Sequence, residues 1–235
     1  MEKSLRLNKR ALCLLLALTA ALCAIILYLP CGIRGYLPGS LLVMAIGLFL
    51  LTIGIKKRPP AARELLLMSV FCGLAVAGRA AFFMLPQVKP MLAITILAGV
   101  CMGQNAGFLV GAMSAFVSNF LFGQGPWTPW QMLGAGLCGY LAGLLFRKKS
   151  APKTLVLCTF GAFAALIIYG PLLNFSSMLT ITAQTPGFDA FLATELAGLP
   201  FDAMHAAATA VFLLLLSKPI LEKIERVKLK YGLFE

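Results

Sequence analysis

All but three of the chain's 20 lysines and arginines fall in four short segments, and long apolar runs separate those segments. The segments hold Lys3, Arg6, Lys9 and Arg10; Lys56, Lys57, Arg58 and Arg63; Arg147, Lys148, Lys149 and Lys153; and Lys218, Lys223, Arg226, Lys228 and Lys230. Apolar stretches lie between them at about residues 11–29, 38–55, 64–85, 91–103, 105–122, 129–146, 154–173 and 196–217. Most approach the ~20 residues that cross ~30 Å of hydrocarbon as a helix; 91–103 is short. Read as eight helices, the chain crosses an even number of times between successive basic segments, so all four share one face. Lysine and arginine mark the cytoplasmic face, which puts both termini in the cytoplasm. One helix more or fewer would scatter the charges over both faces.

Composition agrees: 60% of residues are hydrophobic, 12% are charged, and mean hydropathy is +0.93, the profile of an integral membrane protein. The net charge of +12 does not indicate nucleic acid, because the cations flank apolar spans and form no basic stripe. Cys13, Cys23, Cys31, Cys72, Cys101, Cys138 and Cys158 lie mostly inside apolar runs with no CxxC pair, so no metal site or disulfide framework is expected. MEKSLRLNKR resembles the basic start of a signal peptide, but its apolar run is long and a second span follows, so a retained helix is expected.

On this topology FGQGPWTPWQ (122–131), PQVKP (86–90, with Lys89) and 174–195, an outer loop too polar for a span but with room for a short interfacial helix, all reach the outer face. Both tryptophans of the chain, Trp127 and Trp130, sit in the first, with Gln124, Thr128 and Gln131. Two readings stand: an interfacial aromatic belt, or a platform where indole faces stack on a ligand and amides hydrogen-bond to it. Asn119 and Asn174, at outer ends of spans, are caps or ligand contacts. Arg79, inside a span, would cost ~2.5–3.5 kcal/mol facing lipid and therefore turns inward, to a structural partner or a ligand. Asp202 and His205 stand one turn apart in GLPFDAMHAAAT and are expected to pair; a lone histidine builds no metal site unaided.

Residues 63–230 resemble the substrate-binding S-component of energy-coupling factor (ECF) vitamin transporters. The resemblance runs from RELLLMSVFCGLAVAGRAAFFMLPQVKPMLAITILAG onward and is most specific at SNFLFGQGPWTPWQM. It implies a six-helix membrane bundle that takes a vitamin at the outer face and works with a coupling membrane subunit and two ATPases. The loop pattern is most similar to the cobalamin branch. In the family an AxxxA stripe on the first core helix docks the coupling subunit, which maps onto Ala77 and Ala81, with Gly73 continuing the stripe; internal packing is the alternative use of small residues at that spacing. The chain departs from the family at residues 1–60, an extra two-helix hairpin joined through KKRPPAARE to the bundle of 61–235.

The motif content fits a passive subunit. The sequence has no GxxxxGK[ST] phosphate cradle, no HExxH or GxSxG, and a single histidine, so neither ATP coupling nor hydrolysis is expected of the chain itself. An ion-coupled porter would keep acids within the membrane, and Asp202 is the one candidate. The sequence thus predicts an all-α membrane protein without cofactor or metal. Its expected ligand contacts are Lys89, Asn119, Gln124, Trp127, Thr128, Trp130, Gln131, Asn174 and His205. Its expected ligand is a corrinoid or another ring-bearing vitamin, such as a flavin or a queuosine precursor.

Overall fold

The computed structural model describes residues 60–146, 152–181 and 187–233. The hairpin expected over residues 1–60 lies outside the described residues but for Pro60, as do Arg147, Lys148 and Lys149. Among the described residues all regular structure is helical. Helix α1 covers Ala62–Ala81, α2 Met91–Met102, α3 Gln104–Phe122 and α4 Thr128–Leu145. Helix α5 (Thr154–Ala164) continues through a π-helical turn, Ala165–Tyr169, into α6 (Gly170–Ile181), and α7 (Phe188–Tyr231) follows. With α5 and α6 counted as one rod, six rods form the bundle expected of residues 61–235. Ala62–Ala81, Gln104–Phe122, Thr154–Thr180 and Phe188–Tyr231 are each long and apolar enough to span a bilayer.

Helix α2 is the axis of the bundle. Every residue in it except Val100 is buried, so a helix apolar on all sides becomes a core element despite its short length. Its neighbours reach it through glycine. A Cβ on Gly99 would lie 2.1 Å from the Gly139 carbonyl oxygen, and one on Gly107 would lie 2.4 Å from that same oxygen. On Gly139 it would meet the Gly107 oxygen at 2.3 Å. Helices α2, α3 and α4 therefore touch backbone to backbone, the close approach that drives helix association where lipid removes the hydrophobic incentive. Helix α1 is more peripheral. Phe71 and Ala75 face inward, whereas Gly73, Ala77 and Ala81 are exposed, and a Cβ on Gly73 would meet nothing within 4 Å.

The stretch 174–195 departs from expectation. Helix α6 runs on to Ile181 and α7 starts at Phe188, so most of the supposed loop is helix. Its polar residues misled because they face each other across α6 and α7 rather than water: Asn174 donates to Asp202 Oδ2 at 2.7 Å and to Glu195 Oε2 at 3.3 Å.

The π turn has a local cause. Pro171 has no N–H to bond to the carbonyl four residues back, and the Gly170 N–H reaches five residues back to Ala165. The widened turn faces Tyr169 into the bundle, where it is 6% exposed.

Candidate functional site

The loop that carries both tryptophans divides them. Gly123, at φ 100°, ends α3 in a conformation glycine adopts freely, and Pro129 sits in the first turn of α4 where its missing N–H costs nothing. The second half of FGQGPWTPWQ is thus helix, and its rotation takes Trp130 inward to 1% exposure against Phe175, with ring centroids 5.3 Å apart. Trp127 stays outside at 42% exposure. The paired indole platform expected from the sequence does not form; one ring is core and the other surface.

Around that loop the polar side chains close into a network. Arg79, on α1, donates from one guanidinium nitrogen to Ser118 Oγ and to Asn119 Oδ1 (2.8 Å), both on α3, and its head lies 5.0 Å from the Phe122 ring centroid. Asn119 passes the chain on through its amide, donating to Gln131 Oε1 at 2.8 Å and to Thr128 Oγ1 at 3.0 Å. Thr128 in turn donates to Gln124 Oε1 (3.0 Å) and accepts from the Gly125 N–H (3.2 Å). Gln124 ties back to α3 through the Phe116 carbonyl at 3.0 Å. Asn119, wholly buried, spends its whole donor and acceptor capacity within the protein apart from one lone pair. The structural partner for Arg79 is therefore this pair of neutral side chains, with no carboxylate among the described residues.

A second group gathers about Tyr169. It lies within electrostatic reach of Arg79 and Asp202, and its ring leans on His205 with centroids 5.1 Å apart. His205 is 9% exposed, and its Nδ1 faces Gln87 Oε1 at 3.4 Å. Gln87 sits at φ 57°, a left-handed geometry that non-glycine residues seldom adopt, at the centre of a tight turn closed by the Val88 N–H on the Pro86 carbonyl (2.7 Å). The expected Asp202–His205 pair is not made. Asp202 binds Asn174 on α6, and a Cβ on Gly170 would lie only 2.6 Å from the Asp202 carboxyl carbon, so this side chain is held against the α6 backbone, away from the imidazole.

Of the expected ligand contacts, the fold thus brings Asn119, Thr128 and Gln131 into one network, and His205 and Asn174 onto the neighbouring α6–α7 side. Gln124 is exposed at the rim. Lys89 also lies there, with its ammonium on the Leu85 carbonyl at 3.0 Å. Burial, and then the charge of Arg79, hold the Lys89 pKa below the ordinary lysine value. Tyr169, Gln87, Ser118 and Glu195 escaped the sequence reading. Only Tyr169 carried a local signal, the YGP interruption of an apolar run. Among the described residues no three His, Cys, Asp or Glu side chains group in a way that could hold a metal ion.

The described residues thus form an all-helical bundle of membrane-spanning character with polar side chains gathered inside it. Residues 66–222, more than half of the chain, match the family described as ECF-type riboflavin transporter, S component. The chain belongs to that family. Curated relatives include UPF0397 proteins of three bacteria. That of Vibrio atlanticus is 30% identical over 38% of this chain and 50% of its own length. That of Aliivibrio fischeri is 30% identical over 43% of this chain and 64% of its own. That of Aliivibrio salmonicida is 27% identical over 62% of this chain and 78% of its own. The chain spans between half and two thirds of the length of the first two relatives. No solved structure matches.

Proposed function

We propose that the chain is the substrate-specificity subunit of an ATP-driven importer of the energy-coupling factor type, and that its solute is a flavin-class vitamin taken at the outer face of the cell membrane. The observation that carries this reading is the convergence of Arg79, Asn119, Gln131, Tyr169, Asp202 and His205, from five helices, in an otherwise apolar bundle. Buried polar groups in lipid are costly, and so many at one level mark a place where a solute is handled. The family's name favours riboflavin. The divided tryptophans also favour a solute smaller than a corrinoid, because the broad stacking surface that a corrinoid would use is reduced to one exposed ring.

In this reading the basic segments lie in the cytoplasm with both termini. The exposed stripe Gly73, Ala77 and Ala81 meets the coupling membrane subunit, behind which two ATPases supply the work, and the hairpin of residues 1–60 precedes the binding bundle. Titration of the purified chain with riboflavin and with cobalamin, followed by the tryptophan emission and by calorimetry, tests the solute. Saturable stoichiometric binding of riboflavin supports the flavin reading, and binding of cobalamin instead returns the chain to the corrinoid branch. Concentrative uptake by the chain alone in liposomes under a proton or sodium gradient would replace the importer reading with an ion-coupled porter.

A further inference from the structure

Along α7, Glu195, Asp202, His205 and Thr209 follow one another at intervals of seven, three and four residues, the spacing of a single helix face. The neighbours fix where the face points. Asp202 lies against Gly170, His205 against Tyr169, and Thr209 against Gly161, where a Cβ on the glycine would sit 3.2 Å from the threonine methyl. The row therefore faces the α5–α6 rod inside the bundle.

Its hydrogen-bonding capacity is unbalanced. With the Gln87 oxygen as acceptor, His205 Nδ1 carries the proton and Nε2 presents a lone pair. That Nε2 is buried and has no partner. Glu195 Oε1 is likewise buried without a partner, as is Thr209 Oγ1. Among the described residues the Asn174 amide is the one donor to the two carboxylates, and it is shared between them. Unmatched buried acceptors are expensive, and a native fold retains them where something else supplies the donors. Asn174 itself is clamped, since a Cβ on Gly198 would lie 2.6 Å from its amide, so it cannot turn to serve more than these two.

We infer that Glu195, Asp202 and His205 form an acceptor edge that takes the hydroxyl or N–H donors of the solute, while Arg79 and Lys89 lie on the side toward its acceptor groups. The inference rests on the solute-binding reading above. Applied to a flavin, it assigns the polyhydroxyl side chain to α7 and the carbonyl edge of the ring to the cationic side.

The test compares riboflavin with lumiflavin, which has the same ring and a methyl group in place of the hydroxylated chain, on the purified full chain and on E195Q and D202N. Both substitutions keep side-chain size and exchange an acceptor oxygen for an amide nitrogen. Thermal melting of each ligand-free variant reports whether it folds. The expected result is that lumiflavin binds the unaltered chain at least tenfold more weakly than riboflavin. Each variant should then lose about tenfold for riboflavin and almost nothing for lumiflavin. Equal affinities for the two flavins, or variants that weaken both alike, overturn the acceptor edge while leaving the flavin reading intact. If riboflavin does not bind but another small molecule survives purification, the flavin reading fails alone. The edge then holds if E195Q and D202N lower the occupancy of that molecule, and falls if they do not. A chain that binds neither loses both.

Discussion

Two polar clusters share the buried centre of this bundle, and they are built on opposite terms. Around Asn119, on the α1–α3–α4 side, the polar side chains find partners in one another. The two hydrogens on one Arg79 nitrogen go to Ser118 and Asn119, and Asn119 hands on to Thr128 and Gln131. On the α6–α7 side one amide serves two carboxylates, and Glu195 Oε1, His205 Nε2 and Thr209 Oγ1 are left over. A closed network rigidifies, because each member holds its neighbour in one rotamer. An open one costs stability and retains capacity for bonding. The difference assigns the bonds of the first cluster to holding three helices and a loop in register, with the Arg79 head at its border, and in the proposed reading it leaves the second cluster open to the donors of a solute.

That contrast can be broken most forcefully at Asn119. Replacement by leucine strips Arg79 of one acceptor and takes one donor each from Thr128 and Gln131, a loss of roughly 4 kcal/mol when a charged and two neutral bonds go together. Chemical denaturation in detergent reads it directly, and a change under about 1 kcal/mol would mean that the network is not what fixes the loop. Next in size come the two tryptophans. Trp130→Ala empties a core site beside Phe175 and should cost about 3 kcal/mol, whereas Trp127→Ala should cost less than about 0.5 kcal/mol. Equal losses would contradict their division between core and surface.

At His205 the expected sign reverses. Phenylalanine keeps the ring against Tyr169 and removes an unsatisfied nitrogen, so His205→Phe should stabilise the ligand-free protein by about 1 kcal/mol while reducing solute affinity. A less stable variant would show that the bond from Nδ1 to Gln87 outweighs the cost of the bare Nε2.

The smallest effect belongs to Lys89. Its pKa is lowered in the folded state, first by burial and then by Arg79, so the unfolded chain binds the proton more tightly. Stability therefore rises slightly as pH climbs from the folded value toward that of an ordinary lysine, and Lys89→Met should flatten that rise. Melting temperatures between neutral and alkaline pH, compared for the two proteins, check the slope.

Much of this fold was legible because membrane helices announce themselves by length and charge bias. The six rods of residues 61–235 follow from the apolar runs, and the inward turn of Arg79 follows from the cost of facing lipid. What misled was polarity used as a sign of water. The stretch from Asn174 to Glu195 reads as too polar for a span, yet in a bundle two such groups can satisfy one another across neighbouring helices and leave the backbone helical. Proximity in sequence misled in the same way at Trp127 and Trp130, where Pro129 begins a helix that turns the second ring through the wall. The meeting of Gln87 with His205, 118 positions apart in the chain, has no local signature at all. Helix faces can be read from spacing, but which faces meet depends on where glycines let backbones approach.

In the proposed importer, the shortness of α2 changes the distance a solute must cover. Twelve residues rise only ~18 Å, against the ~30 Å of hydrocarbon that a full span bridges. Gln87 and Lys89 stand just beyond its Pro90 end, whereas at the other end the Lys228 ammonium reaches the Cys101 carbonyl at 2.9 Å. A molecule resting by the Pro90 end thus has little more than half a membrane of protein along this axis between itself and a charged, hydrated boundary. On that reading, release toward that boundary calls for a small displacement of the surrounding rods rather than a channel through the full width of the bilayer.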